Sequence, residues 1–283
     1  MQFLSVVLET IILRPYVFVF LLVYLIGCSM HLGIKRALLF AAAGYLIAWL
    51  SEYSSINNGI PYGHYYYIEQ TKDKEIWVLG VPFMDSLSYV FLAYASYAMA
   101  LMVISPALLS GGAIYLLETR EIRKSLLARM LGTLFFVYLD IIIDPVALRG
   151  DKWFLGQIYG YPDGGVYFGV PISNFAGWAV VGFIMISVLQ ETDSLLHRRN
   201  VKDWFGFNYP WRFLIGPALY LAVIVFNLCI TFYIGEYTIG WAGVFISLPF
   251  FFLLYPLMKS KLFPATTDNA LEAHRRDFPK ARL

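Results

Sequence analysis

Asp140 and Asp144 stand four residues apart at the end of a long apolar run, and Pro145 follows at once. Positions i and i+4 project from one face of a helix, so the two carboxyls converge. Two close carboxyls in a poorly hydrated place do not both ionise readily. One is expected to hold a proton at neutral pH, which makes the pair a proton donor. The residue before a proline is pushed away from helical geometry, so Asp144 is expected to close its helix. Acids at the edge of an apolar run are costly and invite a functional reading. An aromatic, Gly-rich stretch follows, and Gly169-Val170-Pro171 opens the next apolar run, with Asn174 and Trp178 near its start.

An earlier part of the chain carries the same design. Gly80-Val81-Pro82 matches Gly169-Val170-Pro171, Asp85 matches Asn174, and Tyr89 matches Trp178, all at one offset of 89 residues. Glu52 matches Asp140 at an offset of 88. The pattern predicts a parallel internal repeat of span, loop and span, with units at about 45–108 and 133–190 and a pseudo-two-fold axis along the membrane normal. In such an arrangement Asp85 and Tyr89 on one helix meet Asn174 and Trp178 on another, and Glu52 lies at the depth of Asp140.

The elements that position these groups are membrane spans. Of 283 residues, 59% are hydrophobic and 14% charged, where a soluble domain carries about 25% charged residues. The fold class expected is all-α, a polytopic bundle of about seven transmembrane helices: 16–34, 35–53, 81–108, 126–144, 171–190, 211–233 and 238–258. Residues 2–13, set off by Pro15, read as a short helix on or dipping into the membrane. Residues 1–258 make a single bundle, and 259–283 a solvated basic tail. The loops 110–129 and 191–210 read as short surface helices.

Of the 21 Lys and Arg, 16 fall on the side of Lys35, Arg36, Arg123 and the tail, and five fall on the other: Arg14, Lys72, Lys74, Arg149 and Lys152. The positive-inside rule then sets a cell-membrane protein with its N-terminus outside, its C-terminus cytoplasmic, and the aromatic loops 54–80 and 145–170 outside. Basic residues confined to loops give no reason to expect a nucleic-acid partner. Cys28 and Cys229 read as small buried hydrophobes, and the scattered histidines suggest no metal site. No phosphate-binding loop, acidic diphosphate motif or nucleophile with its base is present, so carboxyl acid–base work beside aromatic rings is the chemistry on offer.

The candidate catalytic residues are Asp140, Asp144 and Glu52. The candidate substrate-binding residues are Asp85, Tyr89, Asn174, Trp178, Trp49, Tyr45, Tyr65 and Trp153. Tyr45, Trp49 and Glu52 share one helical stripe. A blander reading competes at every position, because acids at helix ends solvate headgroups and Tyr and Trp form interfacial belts. The duplication is what favours function for the set. Arg149, Asp151 and Lys152 read as surface charges. His64 reads as a hydrogen-bonding loop residue, with a proton relay as the alternative. Asn227 and Glu236 are weaker candidates.

The string DxxxDP, then Trp153, then YFGVPxxNFxGW resembles the polytopic carotenoid biosynthesis family that includes bisanhydrobacterioruberin hydratase and gamma-carotene hydratase. The segment from Glu52 through Pro61-Tyr62-Gly63-His64-Tyr65-Tyr66-Tyr67 to Gly80-Val81-Pro82 is similar to the same family's first half, with Tyr62 in place of Phe and Tyr89 in place of Trp. The resemblance runs from about Ala48 to about Gly182. It implies hydration of a terminal C=C of a long polyene: a carboxylic acid protonates the isopropylidene end, aromatic faces hold the tertiary cation, and a second carboxylate takes the proton of the attacking water. It implies no cofactor. The expected partners are a long apolar polyene or prenyl lipid, the bilayer, and other pigment-biosynthesis enzymes. Two other readings stand beside it. One is a prenyl-lipid cyclase or isomerase that begins with the same protonation; the other is a non-enzymatic lipid-binding or transport protein.

Overall fold

A helix satisfies its own backbone hydrogen bonds, which is what a chain this apolar needs in hydrocarbon. In a computed structural model, which describes residues 2–153, 156–201, 211–262 and 268–279, the chain forms the helices α1 (Gln2–Leu13), α2 (Pro15–His31), α3 (Ile34–Asn58), α4 (Phe83–Ile104), α5 (Arg120–Lys124), α6 (Leu126–Ala147), α7 (Ile172–Arg198), α8 (Ile215–Tyr233), α9 (Tyr237–Leu262) and α10 (Asp268–Asp277). Among the described residues, six helices are long and apolar enough to cross a membrane, and α1 with α2 would make a seventh, bent by 91°. The chain is a multi-pass membrane protein built as an all-α bundle.

The centre is α4. Its Tyr-Ala-Ser-Tyr-Ala-Met-Ala stretch is buried on every side, because alanines let neighbouring helices approach closely. It packs on α2, α3, α6, α7 and α8. The helices of the two expected units pack in a matched pattern. Within units, α3 packs on α4 and α6 on α7; between units, α3 packs on α7 and α4 on α6.

Several boundaries differ from expectation. Helix α3 continues past residue 53 to Asn58 and ends at Gly59, whose φ of 74° supplies the left-handed cap. Glu52 therefore lies inside the helix. Helix α6 does not stop at Asp144 but passes through Pro145 to Ala147. The proline removes only its own N–H from the ladder, and the final carbonyls are taken up by Leu148 N on Asp144 O and by Arg149 Nη1 on Pro145 O, each at 3.0–3.1 Å. Arg149 is thus a half-buried anchor rather than a surface charge, and it also donates to Phe168 O at 2.5 Å.

The loop 110–129 is a surface helix only over α5, Arg120–Lys124. It begins as a hairpin, β4 (Ala107–Ser110) against β5 (Ala113–Leu116). Its two turn residues, Gly111 and Gly112, both have positive φ, the type I′ geometry that matches strand twist. Beyond it, Arg123 and Glu118 are buried. The 191–210 segment opens as a continuation of α7 to Arg198, and residues 202–210 lie outside the described residues, as do Lys280 and Arg282 of the tail. The described tail is not simply solvated. In α10 His274 is buried and its Nδ1 donates to Glu118 O at 2.6 Å, and the buried Phe278 ring lies 4.5 Å from the guanidinium carbons of both Arg120 and Arg123. At the opposite end of the bundle, Arg14 pairs with Glu75 at 3.2 Å, tying the α1–α2 bend to loop 54–80.

Candidate active site

The two long loops build the site by using one local device twice. In strands β2 (Trp77–Val78) and β3 (Val81–Pro82) Val78 pairs with Val81, and in the second loop Tyr167 pairs with Val170. Between them, Leu79 and Gly80 have φ of 50° and 86°, and Phe168 and Gly169 have 50° and 97°. Positive φ at both central residues makes each a type I′ turn. Pro82 and Pro171 then take extended geometry and launch α4 and α7. Asp85 and Asn174 are thereby fixed in equivalent first turns, and Tyr89 and Trp178 one turn further on.

The loops also join each other. Strand β1 (Tyr66–Tyr67) pairs antiparallel with β6 (Tyr159–Gly160). Side chains alternate along a strand, so Tyr66 is exposed while Tyr65 is buried and Tyr67 turns inward with it. Gly160 lets the Tyr66 ring lie across it: a Cβ there would come within 2.8 Å of the Tyr66 hydroxyl and turn that exposed ring aside. The result is a box of four rings: Tyr65 lies 5.3 Å from Tyr67 and 6.1 Å from both Tyr159 and Tyr161, centroid to centroid.

These tyrosines hold carboxylates. Tyr159 donates to Asp144 Oδ1 at 2.8 Å, and Tyr161 to Asp144 Oδ2 at 3.2 Å. The Asn174 amide nitrogen lies 2.8 Å from both Asp140 Oδ2 and Asp144 Oδ2, so one side chain bridges the pair. Asp140 is fully buried behind that bridge, and its Oδ1 has no hydrogen-bond partner among the described residues. In the other unit, Tyr67 donates to Asp85 Oδ2 at 2.8 Å and lies 3.3 Å from the Tyr65 hydroxyl. Ser86 donates to the buried Glu52. Burial pushes the loop phenols Tyr65, Tyr67 and Tyr159 well above the usual range, and neighbouring carboxylates add to this, so they act as neutral donors.

Between the two units lies a cavity. Glu52, Asp85, Asp144 and Asn174 reach it, as do Tyr65, Tyr67, Tyr159 and Tyr161. One wall is the stack of Tyr89 on Trp178, with Phe136 behind at 4.6 Å from Trp178 and Tyr62 alongside. The other is an apolar group from α2 and α8, Tyr16, Phe20 and Phe226, joined by Trp153. An aromatic chamber with acids at one end can protonate an apolar guest and stabilise the cation that results.

Of the residues singled out from sequence, Glu52, Asp85, Tyr89, Asp144, Asn174, Trp178, Tyr65 and Trp153 are brought together around this cavity. Asp140 touches it only through the Asn174 bridge. Trp49 and Tyr45 are not among its lining residues: the Trp49 indole donates to Val78 O at 3.0 Å, and Tyr45 packs on Phe83. His64 is exposed and away from the lining. Asn227 does line the cavity, whereas Glu236 pairs with Lys152. Sequence reasoning passed over Tyr159 and Tyr161. The available signal was a Tyr-x-Tyr spacing shared with Tyr65 and Tyr67 in the first loop.

A family model described as carotenoid biosynthesis protein matches residues 3–253. Neither a curated protein nor a solved structure matches the chain.

Proposed function

The chain belongs to the carotenoid biosynthesis protein family, and from that premise we propose that it is an enzyme adding water across a terminal C=C of an acyclic carotenoid end. The observation that carries the reading is Asp144, which faces the aromatic cavity while Tyr159, Tyr161 and Asn174 all donate to it.

Protonating an alkene requires a strong acid. Three donors aimed at Asp144 stabilise the carboxylate left behind, so a proton placed there departs readily. Asp140 is bridged to it by Asn174 and sealed from solvent, so Asp144 regains its proton from water in the cavity that it faces. The π electrons of the terminal double bond take the proton at the less substituted carbon and leave a tertiary cation. The faces of Tyr89 and Trp178 stabilise such a cation by roughly 0.5–2 kcal/mol each. Water adds through its oxygen, and a second carboxylate facing the cavity, Glu52 or Asp85, accepts the released proton. The addition is redox-neutral and calls for no electron carrier.

The test is expression in cells that accumulate lycopene or another acyclic carotenoid, followed by mass spectrometry of the pigments. Gain of one water by the wild type, lost in Asp144→Asn, is the expected result. No gain on any of several acyclic-ended carotenoids would sink the reading. A new product of unchanged mass would point to cyclisation or isomerisation, and unmodified co-purifying pigment to a binding protein.

The orientation in a cell membrane is part of the same proposal, with the tyrosine loops outside and the tail cytoplasmic. It draws support from the bias of basic residues and from the contacts of loop 54–80 with Arg14 and of the tail with Glu118, at opposite ends of the bundle.

A further inference from the structure

We infer that Asp85 is the general base that takes the proton from the attacking water, an assignment that rests on the hydration reading above. Four acids gather at this end of the bundle, and they differ in access. Glu52, Asp140 and Asp144 are 1%, 0% and 5% exposed, whereas Asp85 is only half-buried. A base that deprotonates water must meet water, and Asp85 is the most open of the four acids.

Its hydrogen bonding leaves it free to act. Tyr67 occupies Oδ2 at 2.8 Å and orients the carboxylate, while Oδ1 accepts nothing from the other described residues. Asp140, by contrast, is shut off behind Asn174, and Glu52 is engaged by Ser86. The repeat sharpens the point. The position equivalent to Asp85 is Asn174, an amide that serves Asp140 and Asp144 as a donor and cannot accept a proton at neutral pH. The two units have therefore diverged into a proton-delivering half and a proton-accepting half, facing each other across one cavity.

The step balances without a co-reactant. A lone pair of water forms the C–O bond to the tertiary cation. One O–H bond breaks, its electrons stay on oxygen to give a neutral tertiary alcohol, and the proton goes to Asp85 Oδ1. Asp85 then passes it to water in the cavity that it lines, and Tyr67 is a positioning residue.

The experiment is hydration in D2O, read by mass spectrometry of both the alcohol and the recovered, unhydrated substrate. In Asp85→Asn the cation still forms but has no base for its water. Hydration is expected to fall at least about a hundredfold, while deuterium continues to enter the terminal carbons of recovered substrate, because the Asp144 carboxylate takes protium back. Asp144→Asn loses both signals. Tyr67→Phe keeps the carboxyl but not its orienting donor, and should slow hydration about tenfold with exchange intact. Hydration at the wild-type rate in Asp85→Asn overturns the assignment, as does loss of exchange in parallel with hydration. Should Asp85→Asn fail to accumulate, Tyr67→Phe decides by the same two signals. A wild type giving neither hydration nor exchange would instead refute the hydration reading itself.

Discussion

Tyr89 and Trp178, matched residues of the two repeat units, stack on each other with ring centroids 4.6 Å apart and planes 21° from parallel. Equivalent side chains that meet in this way lie where the two units face each other, so the wall of the cavity is also the seam of the bundle. Phe136 backs both rings, at 5.9 Å and 4.6 Å. Stacked pairs contribute about 0.5–1.5 kcal/mol beyond their buried area. Trp178→Leu should therefore lower the thermal unfolding midpoint in detergent. It should also slow product formation by about two- to thirtyfold, the equivalent of one lost cation–π contact. Trp178→Phe should recover most of the stability and part of the rate. Equal rates in the two variants would remove the ring face from the mechanism.

Asn174 is the only described donor to Asp140 and one of three to Asp144. Asn174→Ala leaves Asp140, which is 0% exposed, without a hydrogen bond, and an unsatisfied buried polar group costs about 1–3 kcal/mol. Asn174→Asp is the harsher change, since it sets a third carboxyl against two. The expected order of product yield is wild type, then Asn174→Ala, then Asn174→Asp. A reversed order of the two variants would mean that the amide is a spacer and not a donor.

Hydropathy made the spans legible because each must cover the same thickness of hydrocarbon, and the seven expected cores all coincide with helices. What it left open was where each helix stops. Glu52 was expected at a helix end, yet α3 runs on to a glycine cap at Gly59; Pro145 was expected to stop α6, yet only one hydrogen bond was at stake. Trp49 and Tyr45 were chosen for sharing a stripe with Glu52, but a stripe fixes a side of the helix, not a depth along it. Trp49 also projects about 60° around the axis from Glu52, far enough for its indole to turn to Val78. The tyrosine box depends on Tyr67 pairing with Tyr159, a contact between distant loops that no local pattern encodes. Glu52, Asp85 and Asn174 were legible because the repeat marked them, and Asp144 because it stands four residues after Asp140; Tyr159 and Tyr161 were not, because their repeat lies in side-chain alternation within strands two residues long.

Gly177 lets the first loop reach the second unit. A Cβ there would lie 2.5 Å from Tyr62 Cδ1 and 2.8 Å from Pro61 O. The backbone atom cannot swing aside as a side chain would, so Gly177→Ala should displace the loop tip and cost about 1–3 kcal/mol, as overpacking does. Tyr62 would be drawn away from Trp178, now 6.5 Å distant. Faster proteolysis within residues 54–80, with a matching fall in product, is the expected outcome. An unchanged cleavage rate would show that the loop tolerates the methyl.

At the other end of the bundle, Glu118 makes stability depend on pH. Burial alone would push its carboxyl up, but His31 at 2.9 Å and Arg123 at 2.7 Å hold it well below the usual range. A carboxylate whose folded pKa is depressed binds protons less readily when folded than when unfolded. Its contribution is fully present above its unfolded value near 4.5 and fades as pH falls below that toward the folded value. Thermal unfolding of the detergent-solubilised protein should therefore show little contribution from this group to any change between pH 7 and 5, and a steepening loss below about 4.5. Glu118→Gln removes the titrating group, so its curve should be lower at pH 7 and flatter below 4.5. Removing one partner of a buried pair costs about 3–5 kcal/mol, which sets the upper size of the gap at pH 7. The same variant should loosen α10, because His274 is anchored on the backbone oxygen of Glu118 and Phe278 on the Arg123 guanidinium that Glu118 steadies. Earlier proteolysis of the tail in Glu118→Gln, with unfolding curves of equal acid slope, would separate the two effects and disprove the ionic one.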